Sequence, residues 1–265
     1  MNTLENKNIL ITGATRGIGN KLATHFASQG ANIVLLASNE ESLNKTYDGL
    51  VSINPKGKHL IICCDLSNLD TSHYDEIKLN IDENYNELHG LVLNAAILGK
   101  MSALSDYDLE TWNKVMNVNL TSQFMLAKTM LPILTNSQKA RIIFTSSGVA
   151  DYGKAFWGAY SVSKFAVKGL AEIFRDELEN IHDLKIFNFD PGASPTDMRS
   201  TAYPGEDPND LKSLDDLMPC YDWFFSKDSD AATEHYFRYS DLIKPIPEVQ
   251  TQIGLTGFVH LFNAI

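Results

Sequence analysis

Residues 12–19 read Thr-Gly-Ala-Thr-Arg-Gly-Ile-Gly and join the first apolar segment of the chain, 8–12, to its first amphipathic segment, 17–29. The apolar segment predicts a buried strand, and the amphipathic segment predicts a helix with one apolar face. Glycine at positions 13, 17 and 19 would permit a tight turn, a close backbone approach to an anion, and close packing of the helix on the strand. Because a helix N-terminus offers free N–H groups and a positive dipole end, this stretch predicts a site for the pyrophosphate of a dinucleotide.

The same alternation of apolar strands and amphipathic helices continues to residue 190. Further strands are predicted at 32–37, 58–64, 90–94, 141–145 and 185–189, and further helices from 40, at 109–131 before Pro132, and at 157–179. Strands that are apolar on both faces and separated by helices are typical of a parallel sheet covered on both sides. No repeat or linker marks a second domain, so residues 1–265 are predicted to form one α/β domain, a doubly wound parallel sheet in three α/β/α layers.

Charge and composition exclude several classes of partner. The chain carries 33 acidic and 22 basic side chains, a net charge of -11, and without a basic cluster it would repel nucleic acid and anionic membranes. It has no apolar run of about 18 residues, and its first residues lack the pattern of a secretion signal. Three cysteines do not make a disulfide framework, Cys63 and Cys64 are expected to pack in a strand, and no metal site is predicted. We therefore expect a cytoplasmic protein.

The chain changes character after residue 192. Segment 193–225 begins rich in Pro, Gly, Asp and Ser and regains a helical signal near 214–225. A long irregular insert after a strand is usually a functional lid, so this segment is predicted to cover the substrate pocket; a loosely ordered surface loop is the alternative. Residues 240–265 form an extension whose structure the pattern does not predict.

The residue at the end of the second strand bears on the choice between NADP and NAD. Many NAD-binding proteins place Asp or Glu there, where it accepts hydrogen bonds from the adenosine ribose and would repel a 2′-phosphate. Here the position is Ser38, and Arg16 can supply positive charge, so NADP is favoured; NAD stays possible because Glu40 and Glu41 follow closely. Asp65 suits the adenine amino group, or it caps a helix that would begin two residues later.

Tyr160 and Lys164 lie four residues apart in a predicted helix and therefore share one face. A phenol with a pKa of about 10 is a poor acid or base at neutral pH. A nearby ammonium, added to a positive nicotinamide ring, would lower that pKa and make Tyr160 a candidate acid/base group.

Two further polar groups are candidates for the same site. Ser147, or its neighbour Ser146, follows the strand 141–145 and could donate a hydrogen bond to a substrate oxygen. Asn119 lies inside the predicted helix 109–131, where Asn is a mediocre helix former, so it indicates an opening in that helix, for instance around a bound water.

A resemblance to the short-chain dehydrogenase/reductase family covers residues 7 to about 200. It rests on motifs in family order and near family spacing: the glycine turn 12–19, Asn94-Ala95-Ala96, Asn119, Ser147, Tyr160-x-x-x-Lys164, and Pro191-Gly192 with Thr196. Segments 156–170 and 199–219 are similar to the YciK-like branch of bacterial oxidoreductases. The resemblance implies a Rossmann-type fold and an enzyme that moves a hydride between NAD(P), here NADP, and a carbonyl or alcohol.

The resemblance also implies a role for each residue. Tyr160 would donate or accept a proton, and Lys164 would tune it and hold the nicotinamide ribose. Ser147, rather than Ser146, would polarise the substrate oxygen, while Asn119 would hold a relay water. Asn94 would also stabilise the central strands. A homodimer or homotetramer is implied, paired through the two long helices. Cofactor contacts are implied at Gly13, Thr15, Arg16, Gly17, Ile18, Gly19, Ser38, Asp65, Leu66, Asn94, Ala95, Tyr160, Lys164, Pro191, Gly192 and Thr196.

The chain departs from the family pattern in two places. The usual Asn-Asn-Ala-Gly reads Leu93-Asn94-Ala95-Ala96, so the backbone beside the adenosine loses a glycine. The family's closing Thr-Gly, strand and Asp-Gly-Gly are replaced by residues 233–237, Thr-Glu-His-Tyr-Phe, which puts the last strand in doubt.

The substrate is predicted only by class. Four aromatic side chains would make the pocket suited to an apolar or ring-bearing carbonyl compound, although each could equally lie in the core: Tyr152, Phe156, Trp157 and Tyr203. Two other functions stay open at this stage. One is a redox sensor that binds NADP(H) without turnover, and the other is an interaction protein that uses the residues after about 240.

Overall fold

Alternate residues of the central strands face opposite sides of one sheet. The structure, a computed structural model, describes residues 4–243. In β1 (Asn8–Thr12), Leu10 packs on one face and Ile9 and Ile11 pack on the other, and all three side chains are fully buried. Such a strand requires a helical layer on each side.

Within residues 4–243, seven parallel strands form the sheet in the order β3-β2-β1-β4-β5-β6-β7. The strand order reverses between β1 and β4, where Ile11 pairs with Leu35 on one side and Val92 on the other. In an open sheet of this kind, ligands bind in the crevice at the carboxyl ends beside such a reversal. The strands after β1 are β2 Asn32–Ala37, β3 Leu60–Cys63, β4 Gly90–Leu93, β5 Ala140–Thr145, β6 Leu184–Asp190 and β7 Tyr236–Arg238.

Helices cover both faces of the sheet. In chain order they are α1 Gly17–Ser28, α2 Glu40–Ile53, α3 Thr71–Asn84, α4 Leu109–Met116, α5 Ser122–Thr135, α6 Gly158–Leu178, α7 Asp197–Ala202, α8 Met218–Phe224 and α9 Tyr239–Leu242. α3, α5 and α6 pack on one face, and α1, α2 and α8 pack on the other. The predicted Rossmann-type α/β/α sheet is confirmed. No helix of the described chain is both long and apolar enough to cross a bilayer.

The helix predicted at 109–131 differs from the prediction in two respects. A five-residue π turn, Asn117–Thr121, separates α4 from α5. Pro132 does not end α5, which continues to Thr135. Proline inside a helix costs about 3 kcal/mol, but the next two residues, Ile133 and Leu134, are buried in the core, and that burial offsets the cost.

Both edges of the sheet also differ from the sequence expectation. β3 is an edge strand, so Cys63 at its end is exposed rather than packed as predicted. At the other edge β7 pairs with β6, Phe237 opposite Phe189, so a short last strand forms without the family's closing sequence. Of the predicted extension 240–265, residues 244–265 lie outside the described residues.

The predicted lid, 193–225, divides into two parts. Residues 196–203, which include α7, run along the cleft described below. The second part belongs to the core, because Tyr221 and Phe224 of α8 are fully buried. The ring centroid of Phe224 lies 4.9 Å from that of Phe187 and 5.2 Å from that of Phe189. Lifting α8 would expose these rings, so the lid prediction is wrong for residues 217–224 and is limited to the first part.

Candidate active site

A cleft of about 550 Å³ opens at the carboxyl ends of the strands. Within the part of the chain that the structure describes, every predicted site residue except Gly19 and Asn119 lines this cleft. The glycine turn after β1 forms one wall, the beginning of α6 forms another, and the segment after β6 covers them. The fold therefore collects residues that are up to 183 positions apart, from Gly13 to Thr196, as the resemblance implied.

The glycine turn leaves room that side chains would fill. Gly13 and Gly17 have positive φ angles of 65° and 52°. A β-carbon on Gly13 would lie 3.0 Å from the Cα of Ala95, and one on Gly19 would lie 2.8 Å from the Asn94 side-chain nitrogen. No described side chain caps the first turn of α1, so its N–H groups are available to an anion. The turn fits a dinucleotide pyrophosphate.

Asn94 fastens β4 to β1 at the reversal of the strand order. Its backbone N–H and that of Ala95 both donate to the Thr12 hydroxyl at 2.9 Å. Its side-chain amide donates to the Thr12 carbonyl at 3.1 Å. This geometry agrees with the strand-stabilising role that the resemblance implies for Asn94.

At the adenosine end of the cleft, the position after β2 carries no carboxylate. Ser38 lines this end of the cleft and is exposed. Glu40 and Glu41, the first residues of α2, are not among the described residues that line the cleft. The Arg16 guanidinium lies 3.6 Å from the Asp197 carboxylate, and both side chains are largely exposed.

Asp65 also lines this end of the cleft. One of its oxygens accepts the backbone N–H of Ser67 at 2.9 Å, which closes a turn. The helix that follows begins only at Thr71 and is capped by Asp70, so the alternative of a helix starting near residue 67 is wrong.

Tyr160 and Lys164 lie in the first two turns of α6, and both are buried at 7% and 1% exposure. The Lys164 ammonium lies 5.7 Å from the centre of the Tyr160 ring and donates to the carbonyl of Thr145 at 2.7 Å. Burial raises the pKa of Tyr160 to about 12, although a hydrogen bond with Ser147 acts to lower it. Burial also lowers the pKa of Lys164 to about 8. The predicted lowering of the Tyr160 pKa also depends on a bound, positively charged nicotinamide ring, so it stays a prediction, and burial by itself acts in the opposite direction.

Ser146 and Ser147 both line the cleft but differ in surroundings. The Ser146 side chain is buried, and its hydroxyl has no partner among the described residues. A hydrogen bond between the side chains of Ser147 and Tyr160 acts to lower the Tyr160 pKa. The geometry favours Ser147, in agreement with the resemblance.

Asn119 lies in the π turn and is fully buried. Its side-chain oxygen accepts the backbone N–H of Ile97 at 2.8 Å, and its nitrogen donates to the Ile97 carbonyl at 3.0 Å and to Ser163 at 3.1 Å. Asn119 thus connects the opened helix to α6 one residue before Lys164. Its side chain is engaged with the protein and does not reach the cleft.

The substrate end of the cleft is aromatic. The Trp157 ring centroid lies 5.7 Å from that of Tyr160 and 5.9 Å from that of Tyr203. Tyr152 lines the cleft but is 61% exposed. Phe156 has a left-handed backbone with φ of 71°, is 60% exposed and lies outside the cleft, so its predicted place in the pocket is wrong.

The residues of the site that escaped the sequence reasoning include three that contact or neighbour the predicted groups. Asp190 ends β6 and lines the cleft, Thr145 supplies the carbonyl that holds Lys164, and Lys154 lies over the rings of Trp157 and Tyr203. Asp190 had a signal in the sequence, since an acidic residue directly before Pro191-Gly192 ends an apolar strand. The other two contacts depend on tertiary structure.

Comparison with known proteins identifies the family. The family model of the short chain dehydrogenases matches residues 7–207. An oxidoreductase of Escherichia coli, YciK, is 36% identical over 226 residues, which cover 85% of this chain and 88% of that protein. A short chain dehydrogenase of Shigella flexneri 2a complexed with NADP superimposes with a TM-score of 0.86 at 34% identity, over 90% of this chain and 99% of that one. One from Escherichia coli CFT073 complexed with NADPH gives 0.85 at 35% identity, over 90% and 98%. The predicted resemblance is confirmed: the chain belongs to the short-chain dehydrogenase/reductase family.

Proposed function

We propose that this chain is an NADP-dependent oxidoreductase that transfers a hydride between the nicotinamide and a carbonyl or alcohol substrate. The observation that carries the proposal is that one cleft joins the glycine turn to the buried pair Tyr160 and Lys164. Two solved relatives complexed with NADP and NADPH support the choice of cofactor. No specific observation favours a sensor without turnover or an interaction protein.

The chain's own residues would handle the proton. When bound, the cofactor supplies or accepts the hydride at its nicotinamide ring. Ser147 would donate a hydrogen bond to the substrate oxygen, and Tyr160 would give its phenol proton to that oxygen during reduction or remove it during oxidation. The ammonium of Lys164, 5.7 Å from the centre of the Tyr160 ring, would favour the phenolate that remains.

The remaining groups would hold the reactants in place. Lys164 would bind the nicotinamide ribose, and the turn from Pro191 to Thr196 would line the nicotinamide side of the cleft. A relay water would be held at the π turn that contains Asn119.

The preference for NADP would come from Arg16 and Ser38. The ion pair of Arg16 with Asp197 is exposed, and such pairs contribute about 0–1 kcal/mol, so the guanidinium is free to turn toward a 2′-phosphate. With a hydroxyl at Ser38, no carboxylate at that position opposes the phosphate.

Titration with NADPH and NADH side by side, followed by nicotinamide fluorescence, tests the proposal. We expect NADPH to bind at least about tenfold more tightly, or about 1.4 kcal/mol. Arg16→Gln should remove most of that preference while leaving NADH affinity unchanged. Lys21→Gln, in the first turns of α1 and paired with Asp215, is the matched control and should change neither. Tighter binding of NADH, or an unchanged preference in Arg16→Gln, would contradict the proposal.

We propose an apolar or ring-bearing carbonyl compound as the substrate class. The support is the pocket wall formed by Leu98, Val149, Trp157, Met198 and Tyr203 beside Tyr160. A panel of carbonyl compounds should give NADPH oxidation with aryl ketones and aldehydes in preference to small polar ones. The opposite ranking would contradict this assignment.

A homodimer or homotetramer in the cytoplasm completes the proposal. α5 and α6 leave Phe124, Phe165 and Ile173 39%, 43% and 57% exposed, and large apolar groups on one face are typical of an interface. The three free thiols suit a reducing compartment. Sedimentation equilibrium should give a dimer or tetramer mass, and a monomer at micromolar concentration would contradict the oligomer.

A further inference from the structure

One buried carboxylate lies at the active site but has no part in the proton transfer described above. Asp190, the last residue of β6, is 6% exposed and is the only Asp or Glu that is buried among residues 4–243. One of its oxygens accepts the backbone N–H of Gly192 at 2.8 Å. The other lies 3.6 Å from the position that a β-carbon on Gly148 would take, so the carboxylate packs against the segment that follows Ser147. Its place is fixed by the turn on one side and by this segment on the other.

Lys164 needs a counter-charge that its hydrogen bond does not provide. Lys164 is 1% exposed, and the partner of its ammonium, the Thr145 carbonyl, is neutral. Removing an ammonium from water costs several kcal/mol unless an opposite charge lies nearby. Thr145 pairs with Phe189 across β5 and β6, so Asp190, the next residue, lies at the same edge of the sheet as the Lys164 ammonium. Burial raises the pKa of Asp190, and the hydrogen bond from Gly192 opposes that shift. The negative charge of Asp190 acts to keep Lys164 protonated and opposes the effect of burial on the Lys164 pKa. It also disfavours the Tyr160 phenolate.

Other charged groups near Asp190 have hydrogen-bond or ion-pair partners of their own. Asp151 is paired with Lys168 at 2.7 Å and with Arg238 at 2.6 Å. Lys212 donates to the Ala193 carbonyl. The ionisable groups that face Asp190 come from five parts of the chain: Asp151 after β5, Tyr160 and Lys164 of α6, Lys212 after α7, Tyr221 of α8, and Tyr236 and Arg238 of β7.

We propose that Asp190 is a positioning residue that keeps the Lys164 side chain charged at neutral pH, a role that rests on the proposed function of Lys164 in the dehydrogenase site. Asp190 acts through Lys164 and does not transfer the substrate proton. The positive charge of the Lys164 ammonium, which would bind the ribose and stabilise the phenolate, is therefore maintained by Asp190. This carboxylate lies 26 residues later in the sequence, at the end of β6.

The test measures the charge of Lys164 directly and needs neither cofactor nor substrate. Protein labelled with ¹³C at the lysine ε-carbons is titrated by NMR, and the Lys164 signal is assigned by its loss in Lys164→Met. In the native protein this signal should titrate near pH 8, apart from surface lysines. Asp190→Asn keeps an oxygen for the Gly192 N–H but removes the charge, and should lower the midpoint by about one pH unit. Asp151→Asn, the matched control, should lower it by less than about a third of that.

A second measurement stands even if Asp190→Asn fails to fold. In the native protein the Asp190 carboxyl carbon, labelled with ¹³C, should have the shift of a carboxylate at pH 7. A protonated Asp190 at pH 7, or a Lys164 midpoint unchanged in Asp190→Asn, would overturn the proposal. Because both signals are read without cofactor, such a failure is distinct from a failure of the protein to bind NADPH.

Discussion

Replacing Gly19 with alanine tests how the phosphate-binding turn is built. A β-carbon there would lie 2.8 Å from the Asn94 side-chain nitrogen, 2.9 Å from the Gly13 carbonyl carbon and closer still to its oxygen. Ordinary contacts of carbon need about 3.5 Å, so helix and turn must separate. Overpacking of this kind costs about 1–3 kcal/mol, of which the helix propensity of alanine returns about 1 kcal/mol. We expect a net loss of up to about 2 kcal/mol of unfolding free energy and at least about tenfold weaker NADPH binding, since the phosphate-binding N–H groups move.

Gly49→Ala is the matched control, because Gly49 lies in α2 with no described atom within 4 Å of the added carbon. It should gain up to about 1 kcal/mol in unfolding free energy and leave NADPH affinity unchanged. Urea unfolding followed by tryptophan fluorescence gives the first quantity, and a fluorescence titration with NADPH gives the second. If Gly19→Ala behaved like Gly49→Ala in both assays, the close approach of α1 to the turn would not matter for either folding or binding.

Three further predictions concern the acid/base group, the core and the pocket. Tyr160→Phe should lower turnover at least about 10²-fold with an NADPH Kd within about twofold of the native value, measured by steady-state kinetics and titration. Asp230 pairs with the buried Arg141, and although burial acts to raise its pKa, hydrogen bonds from Lys139 and Arg141 hold the pKa below its usual value. Its contribution is therefore present above the unfolded pKa of about 4 and lost as pH falls through the folded pKa, so Asp230→Asn should cost about 2–3 kcal/mol in urea unfolding at pH 7 and progressively less as the pH falls below about 4. Trp157→Ala should raise KM for aryl carbonyl compounds and spare NADPH affinity, and an unchanged KM would remove Trp157 from the substrate pocket.

Local sequence predicted the inner strands well because their surroundings are uniform. β1, β2 and β5 are buried at every position, so an apolar run marks each of them within a residue. β7 had no such signal, because it has three residues, lies at the sheet edge and is held by pairing with β6 and by contacts of Arg238 and Tyr236 with Asp151. The predicted lid included too many residues because the core position of α8 depends on residues distant in sequence. The aromatic residues of α8 resemble a loose helix in sequence and become core only because Phe187 and Phe189 lie opposite them.

In the site, too, features that depend on local spacing could be predicted from the sequence, and features that depend on distant segments could not. The face shared by Tyr160 and Lys164 follows from four residues of helix, so it could be predicted, but the direction in which burial shifts the Tyr160 pKa could not. That direction depends on how completely the cleft walls exclude water, and those walls come from segments after β4, β5 and β6. Burial drives both groups toward their neutral forms, while the proposed chemistry needs one of them charged. A counter-charge must therefore reach Lys164 from elsewhere in the fold. β6 runs beside β5 in parallel, so its last residue lies at the same edge of the sheet as Thr145, which holds the Lys164 ammonium. An acidic residue that ends an apolar strand before a Pro-Gly turn is, on this reasoning, a sequence signal for that counter-charge.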